Sequence, residues 1–277
     1  MFILTTTNSG PYQGNKNWKL LHYKENVNSV YSNVKNVTSW GGTQSNSMLA
    51  IAKLTNENGW GFDYYSQRHS KPCGGNYQEA IALGMRMHYV QDYEQKIKHI
   101  KLQTAEDPQH LIVPIGGCSP TAEYGIKKVA EYIKNWNHLD TSNNSLNVLL
   151  PSGTGTTSFY LAKQLACREI KVFTVPCVGG EEYLREQICK NLSEEDTSVL
   201  NVVTTKTFPR FAHPYKEFLS FWENVKSDTS VELDLIYAPK TILSARDYLK
   251  SDPKAKWLYI HTGGTSGNVT QIKRFKV

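Results

Sequence analysis

Apolar, β-branched segments alternate with longer amphipathic segments along nearly the whole chain. The segments that predict strands are Asn36–Trp40, Gly61–Tyr65, Leu111–Ile115, Leu146–Leu150, Ile170–Thr174, Val199–Thr204, Glu232–Ile236 and Trp257–His261, with a short first strand within Met1–Thr7. The segments that predict helices are Ser45–Asn56, Asn76–His99, Thr121–Trp136, Ser158–Ala166, Glu181–Leu192, Pro214–Lys226 and Thr241–Leu249. Such alternation with short connections is typical of parallel sheets covered by helices. Continuously apolar strands fit sheets that are buried on both faces, so we predict an α/β fold.

The length of 277 residues suits two α/β lobes or one large domain. Hydrophobic residues make up 39% of the chain and aromatic residues 11%, which is enough to build a core. A run of polar residues at Asp140–Ser145 predicts a linker near the middle. No apolar run approaches the ~20 residues that span a bilayer, and the start at Met1 lacks the features of a secretory signal. We therefore expect a soluble, cytoplasmic protein that has no membrane partner.

The charge balance argues against nucleic acid as a partner. The formal net charge is +6, but the basic residues are scattered. The densest cluster, Lys96–Lys101, looks like the solvated side of one element rather than a nucleic-acid footprint. A mild positive charge also suits a site for a phosphorylated cofactor.

Cysteine usage indicates reduced thiols and no bound metal. The five cysteines are Cys73, Cys118, Cys167, Cys177 and Cys189. Their number is odd, none forms a CxxC pair, and no histidine lies at zinc spacing.

The turn Pro151-Ser-Gly-Thr-Gly-Thr-Thr157 follows a predicted strand and opens a predicted helix. Glycines let the backbone approach an anion, hydroxyl groups add donors, and the start of the helix supplies free N–H groups with a favourable dipole. The Gly-Lys-Ser/Thr of a Walker A loop and the GxGxxG spacing of a dinucleotide site are both absent. The segment therefore predicts a site for one phosphate group; the alternative is an ordinary turn with a helix cap.

Two more segments combine small and polar residues near a helix start. Trp40-Gly-Gly-Thr-Gln-Ser-Asn-Ser47 ends a strand, and its Ser45 or Asn46 would cap the next helix or help to surround a bound ring or carboxylate. In Gly14-Asn-Lys-Asn-Trp-Lys-Leu20, Lys16 and Lys19 share one helix face. A second cation lowers the pKa of the first amine, which favours attack on an aldehyde. The alternative is a pair of solvated surface charges.

These three segments, in this order, resemble the 1-aminocyclopropane-1-carboxylate deaminase and D-cysteine desulfhydrase family. That family is part of the tryptophan-synthase-β-like, fold type II group of pyridoxal-phosphate enzymes. Gly14–Lys19 is similar to the family's GNKxRK segment, Gly41–Asn46 to its GGxQSN segment, and Ser152–Thr156 to its phosphate loop. Further similarity is found at Pro114–Gly117, Tyr237 and His261–Gly264.

The resemblance implies a role for each matching residue. Lys16 would bind pyridoxal 5′-phosphate covalently and act as the catalytic base, and Lys19 would contact the phosphate. Asn46 would hydrogen-bond the ring hydroxyl, Ser45 would lie beside the substrate, and Tyr237 would line the substrate side. The phosphate loop would consist of Ser152, Gly153, Thr154, Gly155 and Thr156.

Two places depart from the family pattern. The residue after the family's tyrosine is often Glu, Asp or Thr and contacts the pyridine nitrogen, but here it is Ala238. Alanine cannot keep the ring protonated, which weakens the case for ring-opening of aminocyclopropane carboxylate; Thr262 is the candidate substitute. At the start of the chain, Thr5–Asn8 replaces an Arg-Asp-Asp stretch, and Lys16 lies unusually near the terminus.

The resemblance implies a two-lobed α/β fold, with a small lobe at residues 37–137 and a large, cofactor-binding lobe formed by residues 1–36 and 146–277. The implied activity is that of a pyridoxal-phosphate-dependent lyase or deaminase, foremost β-elimination from D-cysteine. Deamination of aminocyclopropane carboxylate and a catalytically weakened, ligand-binding homologue are the alternatives, and a nucleotide-binding α/β protein ranks last. The resemblance also implies that the protein forms a homodimer and that its substrate is a small amino acid.

Overall fold

A computed structural model describes residues 1–5, 14–67, 74–138, 145–166, 170–194, 196–204, 207–251 and 254–275. The strands are β1 (Phe2–Thr5), β2 (Asn36–Trp40), β3 (Gly61–Gln67), β4 (Met85–Val90), β5 (His110–Ile112), β6 (Leu146–Ser152), β7 (Ile170–Pro176), β8 (Asn201–Val202) and β9 (Lys256–His261). The helices are α1 (Lys16–Lys19), α2 (Leu21–Glu25), α3 (Asn46–Glu57), α4 (Gly75–Ala82), α5 (Tyr93–Gln103), α6 (Ala122–His138), α7 (Thr156–Leu165), α8 (Gly180–Leu192), α9 (Lys216–Thr229), α10 (Tyr237–Ser244), α11 (Arg246–Ser251) and α12 (Asn268–Phe275).

The described strands form two parallel sheets. The larger sheet has the order β1-β9-β6-β7-β8, and the smaller has the order β4-β3-β2-β5. Every strand pairing in both sheets is parallel. The predicted α/β class is therefore confirmed.

Helices cover the larger sheet on both faces. Successive residues of a strand point to opposite sides of the sheet, so neighbours in one strand contribute to different cores. Val148 and Leu150 of β6 belong to the core beneath α6, α7 and α8. Leu149, which lies between them, belongs to a different core with residues of α9 and α10. All seven residues of β6 are buried, as the apolar run in the sequence predicts for a central strand.

The smaller sheet has its own core, which includes Val37 of β2, Phe62 of β3 and Ile51 of α3. Helix α6 packs against α7 and α1 and contributes Ile126 and Val129 to a core of the larger sheet. The lobe boundaries proposed from the sequence stay a prediction.

The predicted helix Asn76–His99 is wrong. The segment contains α4, then strand β4, then α5. Gly84, which adopts a positive φ of 91°, follows the end of α4, and β4 then pairs with β3 along six residues. Met85, Met87 and Tyr89 alternate with polar residues at the period of a strand, and the pairing with β3 forms that strand.

Four other predictions needed correction. The predicted strand Val199–Thr204 is reduced to β8, which covers only Asn201–Val202. The predicted strand Glu232–Ile236 is not a strand: Asp234 Oδ1 accepts hydrogen bonds from the backbone N–H groups of Ile236 and Tyr237 in a turn that leads into α10. The predicted helix Thr241–Leu249 is divided between α10 and α11. Strand β5 ends at Ile112, short of the predicted Ile115. The linker at Asp140–Ser145, apart from Ser145, lies outside the described residues, as do Cys73 and Cys167.

Candidate active site

A cavity of about 350 Å³ lies where strands of both sheets end. Gly42–Ser47 follow β2, Ser152–Thr157 complete β6 and begin α7, and Thr262–Gly264 follow β9. Ligands of open α/β sheets bind at this position, outside the carboxyl ends of the strands. Every site residue predicted from the sequence lines this cavity: Lys16, Lys19, Ser45, Asn46, Ser152, Gly153, Thr154, Gly155, Thr156, Tyr237 and Thr262.

Gly14 places Lys16 at the cavity wall. It adopts a positive φ of 69°, and a Cβ at this position would lie 2.6 Å from the carbonyl oxygen of Thr262, so no other residue fits without strain. The next residue, Asn15, donates its backbone N–H to that same carbonyl at 3.2 Å. The chain therefore enters α1 in contact with the end of β9, and Lys16 is the first residue of the helix.

The amine of Lys16 is held by a neighbouring amide. Its Nζ lies 3.0 Å from Asn15 Oδ1, and Asn15 Nδ2 donates to Thr157 Oγ1 of α7 at 2.8 Å. Burial lowers the pKa of Lys16 well below its usual value, and the charge of Lys19 lowers it further. The sequence-based expectation of a second cation acting on this amine is thus met, although burial has the larger effect.

Lys19 lies one turn further along α1 and is 4% exposed. Its Nζ donates to the carbonyl oxygen of Gly116 at 3.2 Å and to Thr154 Oγ1 at 3.4 Å. Burial lowers the pKa of Lys19 to about 8. Lys19 is therefore a buried amine and Lys16 a partly buried one at the same cavity, not a pair of solvated charges.

The start of α7 has the features of an anion site. Gly155 is its N-cap, and no side chain caps the N–H groups of its first turn, which leaves them available to a ligand. The hydroxyl groups of Thr154 and Thr156 lie 3.0 Å apart, with Lys19 beside Thr154. The Ser152 hydroxyl instead bonds Ser158 Oγ at 2.6 Å and Thr174 Oγ1 at 2.7 Å. Ser152 therefore secures the turn from inside the protein.

The start of α3 forms the opposite wall. Ser45 is its N-cap, and Ser45 Oγ accepts hydrogen bonds from the backbone N–H groups of Ser47 and Met48. Asn46 Oδ1 accepts a hydrogen bond of 2.8 Å from Asn76 Nδ2 of α4. Both predicted residues thus lie at the cavity, and the hydroxyl oxygen of Ser45 also caps the helix.

Tyr237 lines the cavity at the start of α10 and packs its ring against Phe211, with centroids 5.6 Å apart. Burial raises the pKa of its phenol above the ordinary value. Asp234 Oδ1 accepts a hydrogen bond from the backbone N–H of Tyr237, the first residue of α10, and the backbone N–H of Asp234 donates to His261 Nε2 of β9 at 3.0 Å. Tyr237 is therefore positioned by the end of β9. Ala238 is fully buried in α10 and offers no polar side chain.

Sequence reasoning missed several cavity residues. Tyr183 of α8, together with Phe211, adds aromatic surface to the cavity lining, and no motif marked either of them. Asn15 was noted only as part of the segment around Lys16, although its side chain joins α1 to α7. Asn76, which contacts Asn46, carried no sequence signal because it lies in the segment that was predicted as one long helix.

The described residues contain no group of three His, Cys, Asp or Glu side chains that could hold a metal ion. Among the helices that the structure describes, none combines the length and the hydropathy needed to cross a bilayer.

The residues of the cavity fit pyridoxal phosphate. An amine with a lowered pKa is what covalent attachment to an aldehyde requires, and Lys16 provides it. The uncapped start of α7, with Lys19 and two threonine hydroxyls, suits one phosphate group. Among the described residues, Lys16, Lys19 and Asp234 are the ionisable Lys, Arg, Asp and Glu side chains that line the cavity, and a protonated Lys19 beside the start of α7 suits an anionic ligand.

Comparison with curated proteins gives one informative relative. The chain is 25% identical over 176 residues to the mitochondrial bifunctional D-cysteine desulfhydrase/1-aminocyclopropane-1-carboxylate deaminase of Arabidopsis thaliana, a match that covers 58% of this chain and 43% of that protein. The chain therefore spans less than half the length of the curated relative that it matches. No protein-family model matches the chain.

Solved structures show the fold. A homologue of 1-aminocyclopropane-1-carboxylate deaminase has a TM-score of 0.74 at 18% identity and covers 98% of this chain and 88% of that chain. A hydrogen sulfide-producing enzyme from Fusobacterium nucleatum has a TM-score of 0.65 at 14% identity, covering 95% and 88%. An O-ureido-L-serine synthase has a TM-score of 0.68 at 11% identity, covering 97% and 86%.

These relatives differ in the reactions that their names describe, but they share one fold. Enzymes of the deaminase and desulfhydrase family use pyridoxal phosphate, and the motifs that carry the resemblance lie together at one cavity in this structure. The predicted resemblance to the 1-aminocyclopropane-1-carboxylate deaminase and D-cysteine desulfhydrase family is confirmed, and the chain has the two-lobed fold of the fold type II pyridoxal-phosphate enzymes.

Proposed function

We propose that this protein binds pyridoxal 5′-phosphate through Lys16 and catalyses β-elimination from a small amino acid, with D-cysteine as the leading substrate. D-Cysteine and water would give pyruvate, ammonia and hydrogen sulfide. The observation that carries the proposal is the Lys16 amine, which is held at a cavity by Asn15 with its pKa lowered, beside an uncapped helix start and Lys19.

In the proposed reaction each residue has a limited task. Bound pyridoxal phosphate supplies an electron-withdrawing system that weakens bonds at the substrate Cα. Lys16 holds the cofactor, and its amine then takes the Cα proton as general base, for which a lowered pKa is an advantage. Lys19, Thr154, Thr156 and the first N–H groups of α7 hold the phosphate.

The remaining walls orient the substrate and the ring. The N-terminal turn of α3, with Ser45 at its N-cap, would receive the substrate carboxylate, since a helix start favours an anion. Asn46 would contact the ring hydroxyl, Tyr237 the substrate side, and Thr262 the ring nitrogen.

Ala238 favours β-elimination over deamination of aminocyclopropane carboxylate. Its buried methyl group cannot hold a proton on the ring nitrogen, and ring-opening demands a stronger electron sink than loss of a thiolate. The same residue is the reason to keep a non-catalytic, ligand-binding homologue as the second candidate. Keto-acid release from D-cysteine, L-cysteine, D-serine and aminocyclopropane carboxylate distinguishes the three cases.

The direct test is covalent capture of the cofactor. Purified protein mixed with pyridoxal phosphate should gain a visible absorption band, and borohydride should fix the cofactor to Lys16, as read by mass spectrometry of peptides. Lys16→Ala should stay folded by circular dichroism and remain unlabelled. Lys24→Ala, at an exposed lysine of α2, is the matched control and should be labelled at Lys16 like the wild type. Wild-type protein that stays colourless in excess cofactor would refute the proposal.

A further inference from the structure

Asn76 lies at the centre of a hydrogen-bond network between the two lobes. It is 1% exposed, and its Nδ2 donates both to the backbone carbonyl of Gln44 at 3.0 Å and to Asn46 Oδ1 at 2.8 Å. Its Oδ1 accepts a hydrogen bond of 2.7 Å from Ser266 Oγ, which belongs to the segment after β9. One buried side chain therefore touches the start of α3 and the large lobe at once.

The side-chain amides of this network each have a fixed orientation of their oxygen and nitrogen atoms. A backbone carbonyl can only accept, so the contact with Gln44 requires Asn76 to present its Nδ2 on that side. The side chain of Gln44 is oriented in the same way, since its Nε2 donates to the carbonyl of Gly74 and its Oε1 accepts the backbone N–H of Asn76. Neither amide can turn over without breaking a bond to the backbone.

The orientation of the Asn76 amide also fixes the orientation of the Asn46 amide. Because Asn76 Nδ2 is a donor, the oxygen of the Asn46 amide must face it. The Nδ2 of Asn46 is then turned away from Asn76 and, among the described residues, has no protein acceptor. Asn46 lines the cavity, so its Nδ2 is available there as a hydrogen-bond donor. A ligand that carries an acceptor at this position would satisfy it.

We propose that Asn76 is a positioning residue that locks the amide of Asn46 with Nδ2 toward the ligand, so that the cavity selects a ring whose hydroxyl is deprotonated. This inference rests on the proposed binding of pyridoxal phosphate and assigns a function to a residue outside the cavity wall. A hydrogen bond donated to a charged oxygen lowers its pKa. The Asn46 amide thus acts on the ring electronics, and Asn76 acts through Asn46.

The test uses Asn76→Asp, which keeps the size of the side chain and replaces its N–H donors by a carboxylate. The Asn46 amide then turns its Nδ2 toward the new carboxylate and its oxygen toward the cofactor. We expect about 10-fold weaker pyridoxal-phosphate binding, because a hydrogen bond to a charged group is lost. The bound cofactor should also shift from the visible band of the deprotonated ring hydroxyl toward the near-ultraviolet band of the protonated form, with the pH of that transition raised.

Two further variants separate positioning from stability. Asn58→Asp changes the same residue type, whose Nδ2 donates to the Leu54 carbonyl near the far end of α3, and should keep the wild-type spectrum and affinity. Ser266→Ala removes the bond to the large lobe but leaves Asn76 oriented by Gln44, so its spectrum should also be that of the wild type. If Asn76→Asp does not fold by circular dichroism, Asn76→Ala takes its place and should shift the bands in the same direction.

The outcomes are distinct. A folded Asn76 variant with an unchanged band ratio and affinity overturns the inference, even though wild-type protein binds the cofactor. A shift in Ser266→Ala as large as in Asn76→Asp also overturns it, because the tie between the lobes would then be the cause. Wild-type protein that binds no pyridoxal phosphate instead refutes the proposed function.

Discussion

Lys16 and Lys19 lie one helical turn apart on α1, and both amines lie within hydrogen-bond distance of protein oxygens. Lysines are rarely buried unless they are paired, and no carboxylate is among the causes of either pKa shift. Two such amines at one cavity raise the free energy of the ligand-free protein. A bound anion beside Lys19 and an aldehyde joined to Lys16 would lower this free energy.

The pKa of Lys19 predicts how phosphate binding depends on pH. The value in the free protein is about 8, and a bound phosphate dianion favours the charged amine and so raises it. Binding therefore takes up a proton above pH 8: affinity should be flat below that pH and should fall by up to about 10-fold per pH unit above it.

Fluorescence titration between pH 7 and pH 10 measures this dependence. The ligand is pyridoxine 5′-phosphate, an alcohol that cannot react with Lys16. Lys19→Met should bind more weakly and show no such decrease across the range. A wild-type affinity that is constant up to pH 10 contradicts the assignment of Lys19 to the phosphate.

At the level of single residues, the sequence predicted those that lie in short motifs. Lys16, Asn46 and the Ser152–Thr156 turn carry recognisable neighbours, and all of them line the cavity. Asn76 and Phe211 could not be predicted, because their positions depend on pairings between distant segments. The hydrogen bonds of the Ser152 hydroxyl inside the protein could not be predicted either, since one of them is made with Thr174 of the adjacent strand.

At the level of elements, strands with continuous apolar runs were predicted well, whereas β4 was not. Its burial is only partial after Met85, and the sequence interpretation did not use the alternation of Met85, Met87 and Tyr89 with polar residues. The segment at Asp234 was predicted as a strand from its apolar neighbours Leu233 and Leu235. The Asp234 side chain instead forms a local turn by accepting from the backbone N–H groups of Ile236 and Tyr237, and such side-chain-to-backbone bonds compete with strand formation.

The position of α1 depends on close contact with α6. A Cβ on Gly125 of α6 would overlap the carbonyl oxygen of Trp18 and touch the Leu21 side chain. Gly125→Ala should therefore push α1 away and destabilise the protein by roughly 1 to 3 kcal/mol, the usual cost of overpacking. Displacement of α1 also moves Lys16, so covalent capture of the cofactor should slow.

Urea unfolding and the rate of borohydride-trapped labelling measure the two effects. Lys127→Ala, on the exposed side of the same helix, is the control and should change stability by less than about 0.5 kcal/mol. Unchanged stability in Gly125→Ala would mean that α1 and α6 are less tightly packed than in this structure.

At the scale of the whole molecule, the cavity draws on both sheets. The start of α3 belongs to the smaller sheet's lobe, while α7, α10 and the end of β9 belong to the larger. A hydrogen bond between the side chains of Ser266 and Asn76 joins these parts. A ligand that contacts all of these walls couples the stability of both lobes, since it is bound only when they are folded together.

Pyridoxal phosphate should therefore stabilise the protein as one unit. At 100 times its dissociation constant, a ligand adds about 2.7 kcal/mol to the free energy of unfolding, which corresponds to a rise of roughly 5 to 10 °C in Tm for a chain of this size. Thermal unfolding followed by circular dichroism should show one transition that moves as a whole. Pyridoxal at the same concentration should raise Tm less, because it lacks the phosphate that Lys19 and the start of α7 would bind. Two transitions of which only one responds would place the ligand within a single lobe and would contradict a site built from both.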